Sequence, residues 1–150
     1  PAAAVESPAP VTTPAPAAAG PDARLLGRLH ALMETEQVHL DPELDFAGFV
    51  RRMEAPEPVV RRLINQQLGH RHFRSFLNAW RVEAAKRALL DPALADEKIA
   101  SLAFDSGFAS LASFNRAFKL AEGLSPSDYR ARALASPETD RVLRSDPAGI

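Results

Sequence analysis

Residues 99–119 read IASLAFDSGFASLASFNRAFK, and the fold turns on this stretch. Ile99, Leu102 and Ala103 recur at helical spacing, Ser106-Gly107 interrupts, and Phe114, Ala117, Phe118 and Ala121 then recur at the same spacing. Gly107 suits the left-handed backbone that ends a helix, Phe108 can plug a core beneath it, and Ser110 offers an oxygen to cap the next helix. The spacing therefore predicts a short helix over 97–105, a tight turn and a longer helix. At about 100° per residue, Ala112, Asn115, Arg116 and Lys119 point away from the apolar stripe of that longer helix.

Laying the chain on itself at an offset of 54 residues places Val60-Arg-Arg-Leu-Ile-Asn65 on Phe114-Asn-Arg-Ala-Phe-Lys119. Both read apolar, polar, Arg, apolar, apolar, polar. In the first copy Val60, Leu63 and Ile64 form the inward face, while Pro58, Arg61, Arg62 and Asn65 form the outward one. A shorter helix over Phe46 to Met53 precedes it. Glu54-Ala55-Pro56 stands where the second copy has its glycine, and Pro56 and Pro58 suit a first helical turn, whose N–H groups lack helical acceptors anyway.

A long helix over Phe73 to Leu90 joins the copies, with Phe73, Phe76, Leu77, Trp80, Ala84 and Ala88 on one stripe and Asp91-Pro92 as its stop. Eighteen residues at ~1.5 Å each make a strut of roughly 27 Å, comparable with the roughly 34 Å between major grooves one DNA turn apart. Ser125-Pro126-Ser127-Asp128 has capping-box spacing and opens a last short helix, with Tyr129 packed beneath it. Upstream, Leu25, Leu29, Leu32 and Met33 predict a short helix within residues 23–38, broken by Asp41-Pro42. No alternating β-branched run occurs. The expected fold is all-α, with about seven helices in two helix-turn-helix units held by the long central helix.

The expected organisation is a Pro/Ala-rich disordered linker over 1–22, a short helix and connection over 23–43, a double helix-turn-helix domain over 44–132 and a flexible tail over 133–150. Residues 1–21 hold six Pro and eight Ala, a linker composition that points to an unseen domain upstream, with a disordered native tail as the plainer alternative.

Across 150 residues the chain has no Cys, 25% charged and 46% hydrophobic residues and a formal net charge of −1, a composition typical of soluble globular proteins. The absence of Cys excludes a disulfide framework, a thiol nucleophile and a cysteine-based zinc site, and points to a reducing, cytosolic setting. No apolar run approaches the roughly 18 residues of a bilayer-spanning helix. The small net charge conceals a segregation: residues 1–44 carry two Arg and six acids, residues 45–132 carry fourteen basic and ten acidic residues, and residues 133–150 carry two Arg and three acids. The basic excess in the middle suits an anionic partner.

Residues 44–132 resemble the C-terminal DNA-binding half of the AraC/XylS-type bacterial transcription regulators. The likeness lies in IASLAFDSGFASLASFNRAFK over 99–119, then Gly123 and Ser125-Pro126-Ser127-Asp128-Tyr129-Arg130, with Arg81, Ala84 and Leu89 similar to the linker-helix pattern. The chain departs from that family at Val50, Glu54 and Pro56, which leaves the geometry of the first turn open. It also departs at Leu111 and Ala112, where polar base-reading side chains are common. Leu63-Ile-Asn65 with Phe76-Leu-Asn78 is similar to a subgroup attached to multi-helix membrane segments, which implies tethering at the inner membrane in a longer protein.

The resemblance implies double-stranded promoter DNA as partner, RNA polymerase contact with activation as output, and a missing upstream sensor, soluble or in the membrane. The residues support the DNA reading independently. Only the outward face of a helix near its N-terminus reaches base edges in the major groove, so functional side chains must recur opposite the core stripe. Pro58, Arg61, Arg62 and Asn65 do so in one unit; Ala112, Asn115, Arg116 and Lys119 do so in the other, where Ser110 and Leu111 stand at the N-terminal end of the helix as further candidate contacts. Glu57 stands one turn before Arg61 and can pair with it, which ranks Arg62 above Arg61. Arg81, beside Trp80, reads as a structural anchor. Arg51, Arg52, Arg71 and Arg74 are candidate phosphate clamps or, equally, solvated charges.

His70 and His72 lack further ligands at matching spacing, so no metal is expected. No nucleophile elbow, phosphate-cradling glycine loop or Cys/His couple points to an enzyme, and no cofactor is expected. Phe104, Phe108, Phe114 and Phe118 read as core. The rival reading is a helical protein-interaction module whose DNA-reading faces have decayed.

Overall fold

The computed structural model describes residues 20–135, and among them the chain forms seven α-helices and no strand. The readings of residues 1–19 as linker and of residues 136–150 as tail lie outside the described residues.

Helix α1 spans Gly20–His30, so it reaches into the stretch read as linker. The single helix expected up to Val38 does not persist. The chain widens into a π-type turn over Ala31–Thr35, where the Glu36 N–H donates to the Ala31 carbonyl at 2.9 Å, and then tightens into a 3-10 turn over Val38–Leu40. This irregularity lets Leu29, Leu32, Met33 and Val38 all reach the same core.

Helix α2, Phe46–Met53, is capped by Asp45, whose Oδ1 accepts from the Gly48 N–H at 2.7 Å. It ends at Glu54, which adopts the left-handed backbone at φ 54° that a glycine would ordinarily supply. Arg28 Nε donates to the Arg52 carbonyl at 2.9 Å, satisfying an acceptor in the last turn of α2 from α1. Helix α3, Glu57–Arg62, continues as a π-type turn over Leu63–Gln67. Pro56 sits just before it with extended backbone, outside the first turn, and Pro58 lies within that turn.

Helix α4 spans Phe73–Leu90, the predicted bounds, because strong local signals frame it. His72 Nδ1 accepts from the Ser75 N–H at 3.1 Å at its start, and Asp91-Pro92 ends it. The single apolar stripe is corrected. Phe76 and Leu77 are buried in a first core with Phe49, Met53, Val60, Leu63 and Ile64, whereas Val82, Ala85 and Leu89 are buried in a second with Leu102, Ala103, Phe108, Phe114 and Phe118. Ala85 stands about 180° around the helix from Phe76, so α4 presents nearly opposite faces to the two units.

Helix α5, Ile99–Asp105, and helix α6, Leu111–Glu122, build the second unit, and α7, Pro126–Ala135, closes it and reaches into the stretch read as a tail from residue 133. Ser125 Oγ accepts from the Asp128 N–H at 3.1 Å, and Tyr129 meets Phe118 edge-on at 5.2 Å between ring centres. Lys86 Nζ lies 3.1 Å from Glu83 and 3.0 Å from Glu122, bracing α4 to α6; those two hydrogen bonds raise its proton affinity. Two core assignments are corrected. Phe104 is 53% exposed because it lies about 200° from buried Leu102 on α5, and Ala121 is exposed at the end of α6.

The two units and the segment after α1 meet at Arg81, which is only 8% exposed. Its Nε donates to the His39 carbonyl at 2.8 Å, its Nη2 donates to the Asp41 carbonyl at 2.7 Å, and its guanidinium lies 5.9 Å from the Phe108 ring centre. Burial lowers the guanidinium's proton affinity, and the Asp41 carboxylate opposes that shift. The charge is retained at ordinary pH.

Beside this junction the His39 side chain is buried, its Nδ1 has no hydrogen-bond partner among the described residues, and its ring centre lies 5.9 Å from that of Trp80. Burial first, then the positive charges of Arg87 and Arg81, lower its pKa from 6.5 to about 4. In the unfolded chain the imidazole takes up its proton near 6.5, so between that pH and about 4 the unfolded state binds the extra proton. His39 therefore makes stability fall as pH drops through that window and level off below it. His39→Leu should flatten the upper part of this slope, from pH 6.5 to 5, in thermal melts, since Arg81 needs only the backbone carbonyl at position 39. Parallel slopes for both proteins would refute it.

Candidate nucleic-acid interface

The outward face of α3 holds Pro58, Arg61 and Arg62, all exposed, and Asn65 continues it on the π-type turn. Val60, Leu63 and Ile64 are buried behind them, which fixes how the helix is rotated. Glu57, Pro58, Arg61, Arg62, Asn65 and Gln66 line a shallow concavity along this face. Gln66 was missed in the sequence, although it stands one turn beyond Arg62 and carries the same amide as Asn65 in a longer side chain.

The two arginines differ. Arg61 donates to Glu57 Oε1 at 2.5 Å and lies 4.8 Å from the Phe46 ring centre, so a carboxylate and an aromatic face both hold it. Arg62 is exposed and forms no ion pair among the described residues.

In the second unit Gly107 takes φ +96°, and Phe108 plugs the second core against Phe114 at 5.2 Å. Ser110 caps α6: its Oγ accepts from the Ser113 N–H at 3.1 Å and donates to Ser113 Oγ at 2.9 Å. Leu111, Ala112, Asn115, Arg116 and Lys119 are all exposed, with Phe114 and Phe118 buried behind them. Ser113, also exposed and absent from the predicted set, lies one turn from Arg116 on this face. Arg116 forms no ion pair among the described residues. Arg62 and Arg116 thus hold equivalent places, each two residues after the first buried side chain of its helix.

The four candidate clamps are all exposed, but Arg51 and Arg52 line a recess with Asp41, Glu43 and Asp45, and Arg52 lies 3.9 Å from Asp41. The acids there oppose an anion, which leaves Arg71 and Arg74, near the start of α4, as the less encumbered pair. His72 is committed to its cap, and His70 packs edge-on to Phe76 at 5.5 Å, where burial lowers its pKa. Among the described residues no group of His, Asp and Glu is placed to hold a metal ion, and no helix is long and apolar enough to cross a membrane. The two faces are therefore mainly arrays of hydrogen-bond donors, broken by apolar Leu111 and Ala112. Such arrays match phosphate oxygens and the acceptor edges of bases.

Residues 49–132 match a family model described as a helix-turn-helix domain. An uncharacterised HTH-type transcriptional regulator of Staphylococcus aureus strain COL is 31% identical over 110 residues, which is 73% of this chain and 14% of that protein. Another from Staphylococcus aureus is 39% identical over 74 residues, 49% of this chain and 10% of that one. The chain thus spans 14% or less of the length of these curated relatives. The C-terminal domain of AraT, a response regulator from Geobacillus stearothermophilus, superposes with a TM-score of 0.56 at 27% identity, covering 64% of this chain and 76% of that one. A protein of unknown function from Listeria innocua shares the fold, with a TM-score of 0.56 at 24% identity over 69% of this chain and 93% of its own.

Proposed function

Because the chain belongs to the AraC-type helix-turn-helix family, as its match over residues 49–132 establishes, we propose that it binds double-stranded promoter DNA and regulates transcription. The observation that carries this reading is the repeated outward face, Arg62 with Asn65 and Arg116 with Asn115 and Lys119, each set opposite a buried stripe. Helices α3 and α6 enter successive major grooves on one side of the duplex, and α4, roughly 27 Å long, spaces them. Arg62 and Arg116 donate paired hydrogen bonds to guanine, and Asn65 and Asn115 pair with adenine. Lys119, Arg61, Arg71 and Arg74 neutralise phosphates, and Pro58, Ser110, Leu111 and Ala112 complete the contact surface.

The output we propose is activation through RNA polymerase, under an upstream sensor belonging to a longer protein. The setting is the cytoplasm, with the sensor soluble or anchored in the inner membrane. Binding of this kind consumes no cofactor and requires no catalytic group.

Affinity for mixed-sequence duplex DNA, measured across salt concentrations, tests the reading. Each phosphate neutralised adds about 0.9 to the negative slope of log affinity against log salt, so four to six contacts predict a slope of about −4 to −5. The competing reading, a protein-interaction module, takes its support from the Glu57–Arg61 pair and the apolar start of α6. Such a module shows no duplex affinity even in dilute buffer, and that result would eliminate DNA binding.

A further inference from the structure

The two outward faces differ chemically at the end that reaches deepest into a groove. On α3 the first two places are held by Glu57, paired to Arg61, and Pro58, and Arg62, Asn65 and Gln66 follow, so the exposed polar groups of that face are a carboxylate–guanidinium pair, a second guanidinium and two amides. On α6 the first two residues, Leu111 and Ala112, carry neither donor nor acceptor and are exposed, Leu111 by 39%. The hydroxyl of Ser110, which heads that helix, is already engaged with Ser113 as donor and acceptor. Behind this apolar tip, on the same face, stand Arg116 and Lys119, so its occupant is an anionic polymer with an apolar feature.

In the major groove that feature is the C5-methyl group of thymine. Any other base edge pressed against Leu111 and Ala112 loses hydration and gains no hydrogen bond, which penalises it. Resting on the DNA reading above, we propose that the operator is chemically asymmetric: Leu111 and Ala112 select thymine methyls in the half-site under α6, whereas Arg62 and Asn65 select the half-site under α3 by hydrogen bonds.

Uracil scanning tests this, since uracil lacks only the methyl group and keeps every hydrogen-bonding atom of thymine. The whole chain selects its preferred duplex from a random library, and each thymine of that duplex is then replaced singly by uracil. One or two positions, all in one half-site, are expected to lose about three- to fivefold in affinity each, the worth of one buried methyl. The double variant Leu111→Gln, Ala112→Ser should bring that loss below twofold, while Arg62→Ala leaves the thymine preference intact. Both altered residues are exposed, and matching melting curves confirm that the variant is folded. A selected duplex indifferent to uracil, equal losses in both half-sites, or a preference that survives the double variant each overturns the asymmetry while leaving DNA binding standing. Failure to enrich any duplex removes the DNA reading itself and the asymmetry with it.

Discussion

Gly107→Ala is expected to lower the unfolding free energy by about 3–5 kcal/mol in denaturant titration of the whole chain. Two costs combine. The backbone at φ +96° lies where L side chains rarely go, and a Cβ built there would sit 2.3 Å from the His39 carbonyl oxygen and 2.9 Å from both Arg81 Nε and Leu40 Cα. The backbone at His39 cannot retreat freely, because its carbonyl accepts the hydrogen bond from Arg81. Gly123→Ala separates the two terms. That glycine has φ +75° at the end of α6 but, among the described residues, nothing within 4 Å of its would-be Cβ, so only the backbone cost of about 1–2 kcal/mol is expected. Equal losses at the two positions would mean that the close approach between the second turn and residues 39–40 does not constrain the fold.

The contrast between these glycines also shows what the sequence made legible. A left-handed turn, a serine cap or an Asp-Pro stop is a local device, so the end of α4, the Gly107 turn and the Ser125 cap could be placed from neighbouring residues alone. What Gly107 packs against was not legible, because residues 39–40 lie far upstream and only folding brings them there. Arg81 is a similar case. Its neighbour Trp80 marked it as structural, but nothing in the sequence identified the His39 and Asp41 carbonyls as its acceptors. The single stripe read on α4 failed because one helix serves two cores on nearly opposite faces, which blurs a 3.6-residue period. The outward faces fared better, since Arg61, Arg62, Asn65, Asn115, Arg116 and Lys119 all sit opposite strong apolar stripes. Even the restraint on Arg61 was half visible: Glu57 is one turn away, whereas Phe46 approaches only through the packing of α2 against α3.

That restraint orders the effects of removing each arginine. Arg116→Ala and Arg62→Ala should each weaken binding to the preferred duplex by about 1–3 kcal/mol, roughly 5- to 150-fold, if each guanidinium reads a base. The two stand on helices with separate cores and share no partner, so their effects should add, giving about 2–6 kcal/mol for the double variant. Neither side chain supports the cores, because both are exposed, and melting temperatures should stay near that of the parent protein. Competition between the preferred duplex and a scrambled one assigns the role. A loss confined to the preferred sequence identifies base reading, and an equal loss on both identifies phosphate contact. Arg61→Ala should cost less than Arg62→Ala, because the Glu57 carboxylate already offsets part of the first guanidinium's charge and the Phe46 ring fixes its position, which leaves it a phosphate contact and no base to read. The reverse order would mean that DNA displaces Glu57 from Arg61, and the ranking of the two arginines on α3 would then have to be exchanged.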